Sequence, residues 1–461
     1  MSIERAYVMP HPPLAVPGIG DDDKGQIPHT LASCQKVARE IADIAPETII
    51  YVAPHGIVYA DYFHLIPGLS AHGDLARFGA PQVHISVDMD TELADTIARI
   101  ATEAGIPTGA GCERRETLAH GVMVPMWFID QHYRNYQAVC ISHSGMDPTE
   151  HYRLGRCVSE AVAARGRKAV LVASGDLSHR LSEGGPYGFD PGGPLFDRKV
   201  TSALGSGDFL ELFKITEKQR QDAGECGYRP LMVLAGCLDR REVQSELLSY
   251  EYPFGVGYAV ARFIAGGVDE SRAFLALNER HQASLARDKA ATEDEYCTLA
   301  RRSLEHMVTH GRHMKLDDTV PPEMLQDQAG VFVSLHIGDQ LRGCIGTLAP
   351  TTESIAHEIV QNAVSAGLSD TRFQPVRASE LPSLIYKVDV LSTPEDVESI
   401  DELDVRRYGV IVSNGLQRGL LLPDLEGVDT VEEQVAIARA KAGIPADVPV
   451  RLQRFEVIRH A

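Results

Sequence analysis

Apolar runs of two kinds alternate through the first half of the chain. Short β-branched and aromatic runs, each long enough for one buried strand, lie in segments 5–14, 48–56, 138–143 and 168–174. Helical patterns lie between them, in segments 31–45, 91–104 and 149–165. Strand and helix therefore alternate as they do in βαβ units, and the sequence predicts an α/β fold with parallel strands.

The first two strand runs end in the same way, in a proline followed at once by a histidine. These are Pro10-His11 and Pro54-His55, and two later strand runs are followed by His143 and His179. If the first two strands are parallel neighbours, both imidazoles converge at the carboxyl edge of the sheet, where ligand sites form. A lone histidine is more often structural, but the repeated pattern favours a pair of metal ligands.

Two histidines and one carboxylate form the facial triad of a non-haem Fe(II) site, which leaves positions for substrate and oxygen. The glycine-flanked segment GECG offers Glu225 as the carboxylate, and Cys226 beside it as a thiolate. The sequence therefore predicts a metal site of His11, His55 and Glu225, with Cys226 as the alternative third ligand. Fe2+ is the expected ion, and another divalent metal is the alternative.

Two further histidines are candidates for proton transfer. His179 ends the motif SGDLSH after a buried strand, and His120 lies in AHG. A general acid or base needs such a fixed position within reach of a substrate hydroxyl, although either ring could instead bond a loop backbone. Asp176 is expected to orient a ligand imidazole, and His143 to be structural. The glycine- and proline-rich segment 186–194 is expected to form a lid or wall.

The composition changes near residue 266, where a charged, alanine-rich segment begins. We expect a first domain over residues 1–268, a linker over 269–290 and a second domain over 291–461. The second domain carries a hairpin pattern in 330–347 and a helical pattern in 430–442, which predict a smaller α/β domain.

Charge and cysteine spacing exclude several classes of protein. The 44 basic against 64 acidic residues give a net charge of -20, so neither nucleic acid nor a membrane surface is an expected partner. No membrane span or signal peptide is apparent, and a cytoplasmic location is expected. The eight cysteines form no C-x-x-C pair, and no G-x-S-x-G, P-loop or G-x-G-x-x-G motif is present. The oligomeric state stays open.

Five motifs in order resemble the class III extradiol dioxygenase superfamily, the LigB-like enzymes, and its Memo branch. They are MPHPPL at 9–14, APHG at 53–56, AHG at 119–121, SGDLSH at 174–179 and GECGYRP at 224–230. The resemblance implies a mixed-sheet α/β/α fold and Fe(II) held by His11, His55 and Glu225. It also implies opening of a small catecholic ring by O2 in aromatic compound metabolism, with His179 as acid/base and His120 contacting substrate or oxygen.

One departure supports a second hypothesis. Cys226 beside Glu225 resembles the Memo arrangement, in which a cysteine takes the third ligand place. Such a chain would be a metal-binding redox or maturation protein that works with a radical-SAM partner and cleaves no ring.

The second half resembles the AMMECR-type domain over residues 285–461. The motifs are LRGCIGT at 341–347, DTRFQPV at 370–376 and GLLLPDLEG at 419–427. Within the first motif, Cys344 lies near Arg342. It is either a reactive thiol whose pKa an electropositive neighbour lowers, or a small apolar residue in a hairpin.

Overall fold

The computed structural model describes residues 3–20, 23–111, 117–425 and 427–461. The chain divides into two compact units, with the boundary between Asn278 and Glu279. This boundary lies within a helix, Phe274–Ala290, that occupies most of the segment predicted as a linker. The two units are described separately.

The first unit contains ten strands and eight α-helices among its described residues, and a ninth helix begins in it and continues past the boundary. The strands are β1 (Arg5–Met9), β2 (Thr48–Ala53), β3 (Phe63–His64), β4 (Ser70–Leu75), β5 (Ala80–Asp88), β6 (Thr108–Gly109), β7 (Gln137–Ser142), β8 (Ala169–Ser174), β9 (Arg241–Glu251) and β10 (Tyr258–Val268). The helices are α1 (Pro28–Ile44), α2 (Thr91–Glu103), α3 (His120–Asp130), α4 (Pro148–Arg165), α5 (Gly192–Ser206), α6 (Leu210–Phe213), α7 (Glu217–Ala223), α8 (Tyr228–Cys237) and α9 (Phe274–Ala290).

The central sheet has six strands in the order β7-β2-β8-β1-β10-β9. The first four strands are parallel, and β10 and β9 close one edge in antiparallel fashion. The predicted mixed sheet is therefore confirmed. The expectation that β1 and β2 are neighbours is wrong, because β8 lies between them and pairs with both.

Each face of the sheet is covered by helices, so the predicted three-layer α/β/α architecture is confirmed. Alternate residues of the buried strands point to opposite faces, as in Tyr7 and Val8 of β1. On the Tyr7 side they pack against α1 and α3, and on the Val8 side against α2, α4 and α8. Parallel strands buried on both faces are uniformly apolar, which explains the continuous apolar runs in the sequence.

Helices α4 and α8 cross unusually closely on the second face. A Cβ added at Gly155 of α4 would lie 2.0 Å from the Val233 carbonyl oxygen, and one at Gly236 of α8 would lie 1.9 Å from the Tyr152 carbonyl oxygen. Both glycines are therefore required by backbone contact. This crossing fixes α8, whose first turn follows the GECG segment.

The second unit contains two four-stranded sheets, β12-β11-β13-β18 and β14-β17-β15-β16. The strands are β11 (Gly330–Ile337), β12 (Gln340–Gly346), β13 (Leu384–Leu391), β14 (Glu395–Val397), β15 (Gly409–Asn414), β16 (Gln417–Leu421), β17 (Arg451–Phe455) and β18 (Val457–His460). The helices are α10 (Glu295–His310), α11 (Pro322–Gln326), α12 (Ile355–Leu368) and α13 (Val431–Ala442). The predicted hairpin is confirmed as β11 and β12, and the predicted helix as α13.

Within the described residues, every helix is too short or too polar to cross a lipid bilayer.

Replacement of Gly155 by alanine tests the helix crossing. The new methyl would meet backbone rather than a flexible side chain, so we expect Gly155→Ala to lower the free energy of unfolding by about 1–3 kcal/mol. Gly25→Ala is the control, because nothing lies within 4 Å of a Cβ at that position. Equal urea-unfolding curves for the two variants would contradict the close crossing.

Candidate metal centre

The carboxyl ends of the parallel strands bring two predicted ligands together. Met9 pairs with Ser174 of β8, and Ala53 pairs with Ser142 of β7, so these strands end at one level. His11 lies two residues beyond the end of β1, and His55 lies two residues beyond the end of β2. Their Nε2 atoms are 3.1 Å apart. The two rings reach each other across the end of β8, where Ser174 and Gly175 are small.

Cys226 supplies a third donor atom. Its Sγ lies 3.6 Å from His11 Nε2. The donor atoms of His11, His55 and Cys226 all lie within 4.8 Å of one another. His11 is buried, Cys226 is partly exposed and His55 is exposed, so the group opens towards solvent on the His55 side.

Ser174 fixes the tautomer of His11. The Ser174 hydroxyl donates its only proton to the Gly121 carbonyl oxygen. Its oxygen lies 3.0 Å from His11 Nδ1 and can then only accept, so Nδ1 carries the ring proton. His11 Nε2 therefore presents a lone pair towards Cys226 and His55. Such a partner orients a metal-binding imidazole and sets its tautomer.

Asp176 holds the backbone of the same histidine. Its Oδ1 accepts from the His11 backbone N–H at 2.9 Å, and its Oδ2 lies 3.9 Å from His11 Nε2. This residue was expected to orient a ligand imidazole, and it lies beside His11.

Glycines in the motifs allow the loops to meet. A Cβ at Gly175 would lie 2.1 Å from Gly227 Cα, and one at Gly121 would lie 2.7 Å from the Pro54 carbonyl oxygen. The first contact brings SGD against GECG, and the second brings AHG against APHG. His55 itself has φ 67°, an uncommon left-handed conformation for a residue with a side chain. Backbone contact, rather than side-chain packing, therefore assembles the centre.

His120 is the first residue of α3 and lies flat against His55. The two rings are stacked with centroids 4.5 Å apart. The ring of Phe78 also contacts His120, with centroids 5.0 Å apart. Burial and the nearby His11 and His55 lower the pKa of His120 to about 3. Its Nδ1 is buried and makes no hydrogen bond within the described residues, so this neutral ring has a free polar atom beside the centre.

His179 is a second histidine that lies close to Cys226. Its Nε2 is 3.8 Å from Cys226 Sγ, and Asp176, His179 and Cys226 form a second close group of donor atoms. Tyr187, from the segment predicted as a lid or wall, stacks on the His179 ring with centroids 5.1 Å apart. Burial lowers the pKa of His179, whereas the Asp176 charge raises it.

Glu225 is placed outside the centre. Its carboxylate accepts from the Tyr228 backbone N–H at 2.6 Å, at the start of α8. Burial raises its pKa, and Arg220 and Arg229 act in the opposite direction. Adjacent residues on a tight loop point to different sides, so Cys226 faces His11 while Glu225 faces the arginines.

Burial sets the charge state of the donors. It lowers the pKa of His11 well below its usual value, and it raises the pKa of the Cys226 thiol well above its usual value. It also raises the pKa of Asp176 to about 6. The imidazole is therefore a neutral donor, and a metal that binds Cys226 must displace its proton.

Two other predicted residues lie elsewhere. His143 donates its backbone N–H to the Ala53 carbonyl oxygen, and burial lowers its pKa to about 4. In the second unit, burial raises the pKa of Cys344 although Arg372 opposes the shift. Of the two alternatives for Cys344, this favours the small apolar residue of a hairpin, because the Arg342 guanidinium pairs with Glu380.

Sequence reasoning missed Ser174 and Tyr187. Ser174 directly precedes the Gly-Asp pair of its motif, but only the sheet order shows that its strand separates the two histidines. Tyr187 lies in a segment whose composition indicates a wall without indicating which ring it covers.

Comparison with known proteins identifies both halves. The family model of the catalytic LigB subunit of aromatic ring-opening dioxygenase matches residues 5–261, and the AMMECR1 model matches residues 297–460. A protein of Clostridium acetobutylicum is 41% identical over 100% of this chain and 99% of its own length. A protein of Thermotoga maritima is 51% identical over 36% of this chain and 98% of its own length. The crystal structure of an uncharacterized protein of Pyrococcus horikoshii is similar at 32% identity over 36% of this chain and 88% of that chain, with a TM-score of 0.34.

Removal of the Ser174 hydroxyl tests the orientation of His11. We expect Ser174→Ala to weaken Co2+ binding about 10–100-fold, because the ring loses the acceptor that sets its tautomer. Affinity is measured by titration of the thiolate-to-cobalt absorption. Ser142→Ala is the control, because Ser142 ends β7, which β2 separates from β8. An affinity of Ser174→Ala within twofold of the native value would refute this role.

Proposed function

We propose a function from the premise that this chain belongs to the LigB family of aromatic ring-opening dioxygenase subunits and carries an AMMECR1 domain. The chain is a metalloprotein that binds one divalent transition-metal ion, Fe2+ by preference, through His11, His55 and Cys226. The observation that carries the proposal is the convergence of these three donor atoms within 4.8 Å.

The donor set fits such an ion. Imidazole nitrogen suits iron, zinc and copper, and a thiolate adds a soft ligand that hard cations such as Mg2+ do not favour. The Ser174 hydrogen bond directs the lone pair of His11 Nε2 to the same point. When bound, a ferrous ion supplies Lewis acidity and redox chemistry to a small molecule beside it.

His179 is the residue that would move a proton. Its lowered pKa keeps the ring neutral, so Nε2 can accept a proton from a hydroxyl of a bound molecule. The charge of nearby Asp176 stabilises the imidazolium that results. Tyr187 stacks on this ring and so helps to fix its plane.

The shape of the surroundings favours a planar ligand. His120 and His55 present stacked rings on one side of the centre, and His179 and Tyr187 present stacked rings on the other. Flat side chains of this kind suit a small aromatic or phenolic molecule. We therefore take a small aromatic compound as the substrate class.

The third donor decides between two forms of this function. Cys226, rather than Glu225, lies with the two histidines, which favours a metal-binding redox or maturation protein over an ordinary ring-cleaving enzyme. A radical-SAM protein is the partner that the sequence resemblance suggests for this form, and the AMMECR1 domain is consistent with it.

Metal content distinguishes the two candidate ligands. We expect anaerobically purified Cys226→Ala to lose most of its metal, because the centre loses the sulfur donor of its ligand group. Glu225→Gln should retain about one equivalent, since its amide oxygen can still accept from the Tyr228 N–H. Elemental analysis measures both.

Cys344→Ala is the matched thiol control, because Cys344 belongs to neither group of close donor atoms found among the described residues. The reverse order, with metal lost from Glu225→Gln and retained by Cys226→Ala, would overturn the assignment.

The family match supports a second candidate, an Fe(II)-dependent extradiol dioxygenase that opens a small catecholic ring. His179 then serves as the acid/base, so His179→Gln should reduce turnover about 10²–10⁴-fold. Oxygen uptake by the iron-loaded protein with a panel of catechols measures this activity. Uptake that depends on His179 and yields a ring-opened product would establish ring cleavage. Iron-loaded protein that shows no catechol-dependent uptake would exclude this candidate and support the metal-binding form.

A further inference from the structure

Two groups of metal-ligating side chains meet at one sulfur atom. The first group is the one assigned above, His11, His55 and Cys226, and the second is Asp176, His179 and Cys226. Within each group the donor atoms lie within 4.8 Å of one another, and the two groups have only Cys226 in common. Five side chains thus offer donors, which is more than the four ligands of a tetrahedral ion. The second group is therefore a candidate site in its own right.

The distances from the sulfur to two imidazoles are those of ligands that share an ion. Cys226 Sγ lies 3.6 Å from His11 Nε2 and 3.8 Å from His179 Nε2. A tetrahedral ion with bonds of about 2.1 Å to nitrogen and about 2.3 Å to sulfur separates two such donors by about 3.6 Å. Each histidine therefore lies near the distance that an ion between it and the sulfur requires.

Asp176 supplies the oxygen donor of the second group. Its Oδ1 accepts from the His11 backbone N–H at 2.9 Å, whereas its Oδ2 lies 3.9 Å from His11 Nε2, beyond hydrogen-bond distance. The second oxygen is therefore available to an ion. The carboxylate is buried, and a bound cation would balance its negative charge.

The sulfur of Cys226 is suited to bind two ions at once. A thiolate has several lone pairs, so one Sγ can bridge two ions after the loss of a single proton. The Asp176 backbone N–H donates to this sulfur at 3.4 Å, which stabilises negative charge on it. Paired metal ions in proteins lie about 3.5–4 Å apart, a separation that one bridging atom can span.

We propose that the protein binds a second divalent transition-metal ion through Asp176, His179 and Cys226, with the Cys226 thiolate as the bridge between the two ions. This inference rests on the proposed function, because binding of the first ion forms the thiolate. The second ion binds more weakly, since it shares the sulfur and is repelled by the first ion. It occupies His179 Nε2, so an excess of metal prevents that ring from accepting a proton.

Anaerobic titration of the full-length, metal-free protein with Co2+ tests the second site. We expect two steps in the thiolate-to-cobalt absorption, ending at two equivalents of Co2+. The electron paramagnetic resonance signal of the first ion should fall as the second ion binds, because a thiolate bridge couples their spins. Saturation at one equivalent would overturn this inference and leave the proposed function standing. No binding at all would overturn both.

Single variants show which ligands serve each ion. We expect His55→Ala and His179→Ala each to bind one equivalent, whereas Cys226→Ala should lose both steps because the two ions share its sulfur. His132→Ala is the control, because this exposed histidine belongs to neither group and its Nε2 lies 2.7 Å from Gln35 Oε1. A second step that survives in His179→Ala or in Cys226→Ala would overturn the inference.

The native protein decides the question if a variant does not fold. Two equivalents with coupled spins support the shared sulfur. Two equivalents whose resonance signals add without coupling would place the second ion elsewhere and overturn the inference.

Discussion

The contact between Gly175 and Gly227 is the constraint on which the candidate centre depends. It brings the end of β8 against the GECG loop at a distance that excludes any side chain. Cys226 is thereby held against His11, while Ser174 of the same strand end sets the tautomer of that ring. The ends of three parallel strands thus supply two ligands and the group that orients one of them.

The sequence predicted much of this arrangement because its signals are local. Proline and histidine directly after an apolar run mark a strand end, and α/β sheets place such ends together. The same local signals could not show that β8 lies between β1 and β2, since strand order is a long-range property. Nor could they show that the apolar run after His120 is the helix α3, because a fully buried helix and a buried strand have similar composition.

The choice between Glu225 and Cys226 was also beyond local sequence. Both side chains are suitable ligands, and only the backbone of the loop decides which one faces His11. The turn into α8 directs the Glu225 carboxylate to the Tyr228 N–H. There the positive charges of Arg220 and Arg229 lower the pKa of the carboxylate and so favour its ionised form. One short loop therefore separates a sulfur donor on the metal side from a buried carboxylate beside two arginines on the other.

The central claim is that sulfur is part of the metal centre, and X-ray absorption at the iron edge tests it most directly. Iron-loaded native protein should show one sulfur scatterer together with nitrogen scatterers in the first coordination shell. That sulfur signal should be absent from the iron that remains bound to Cys226→Ala. A first shell of nitrogen and oxygen alone in the native protein would contradict the assignment of Cys226.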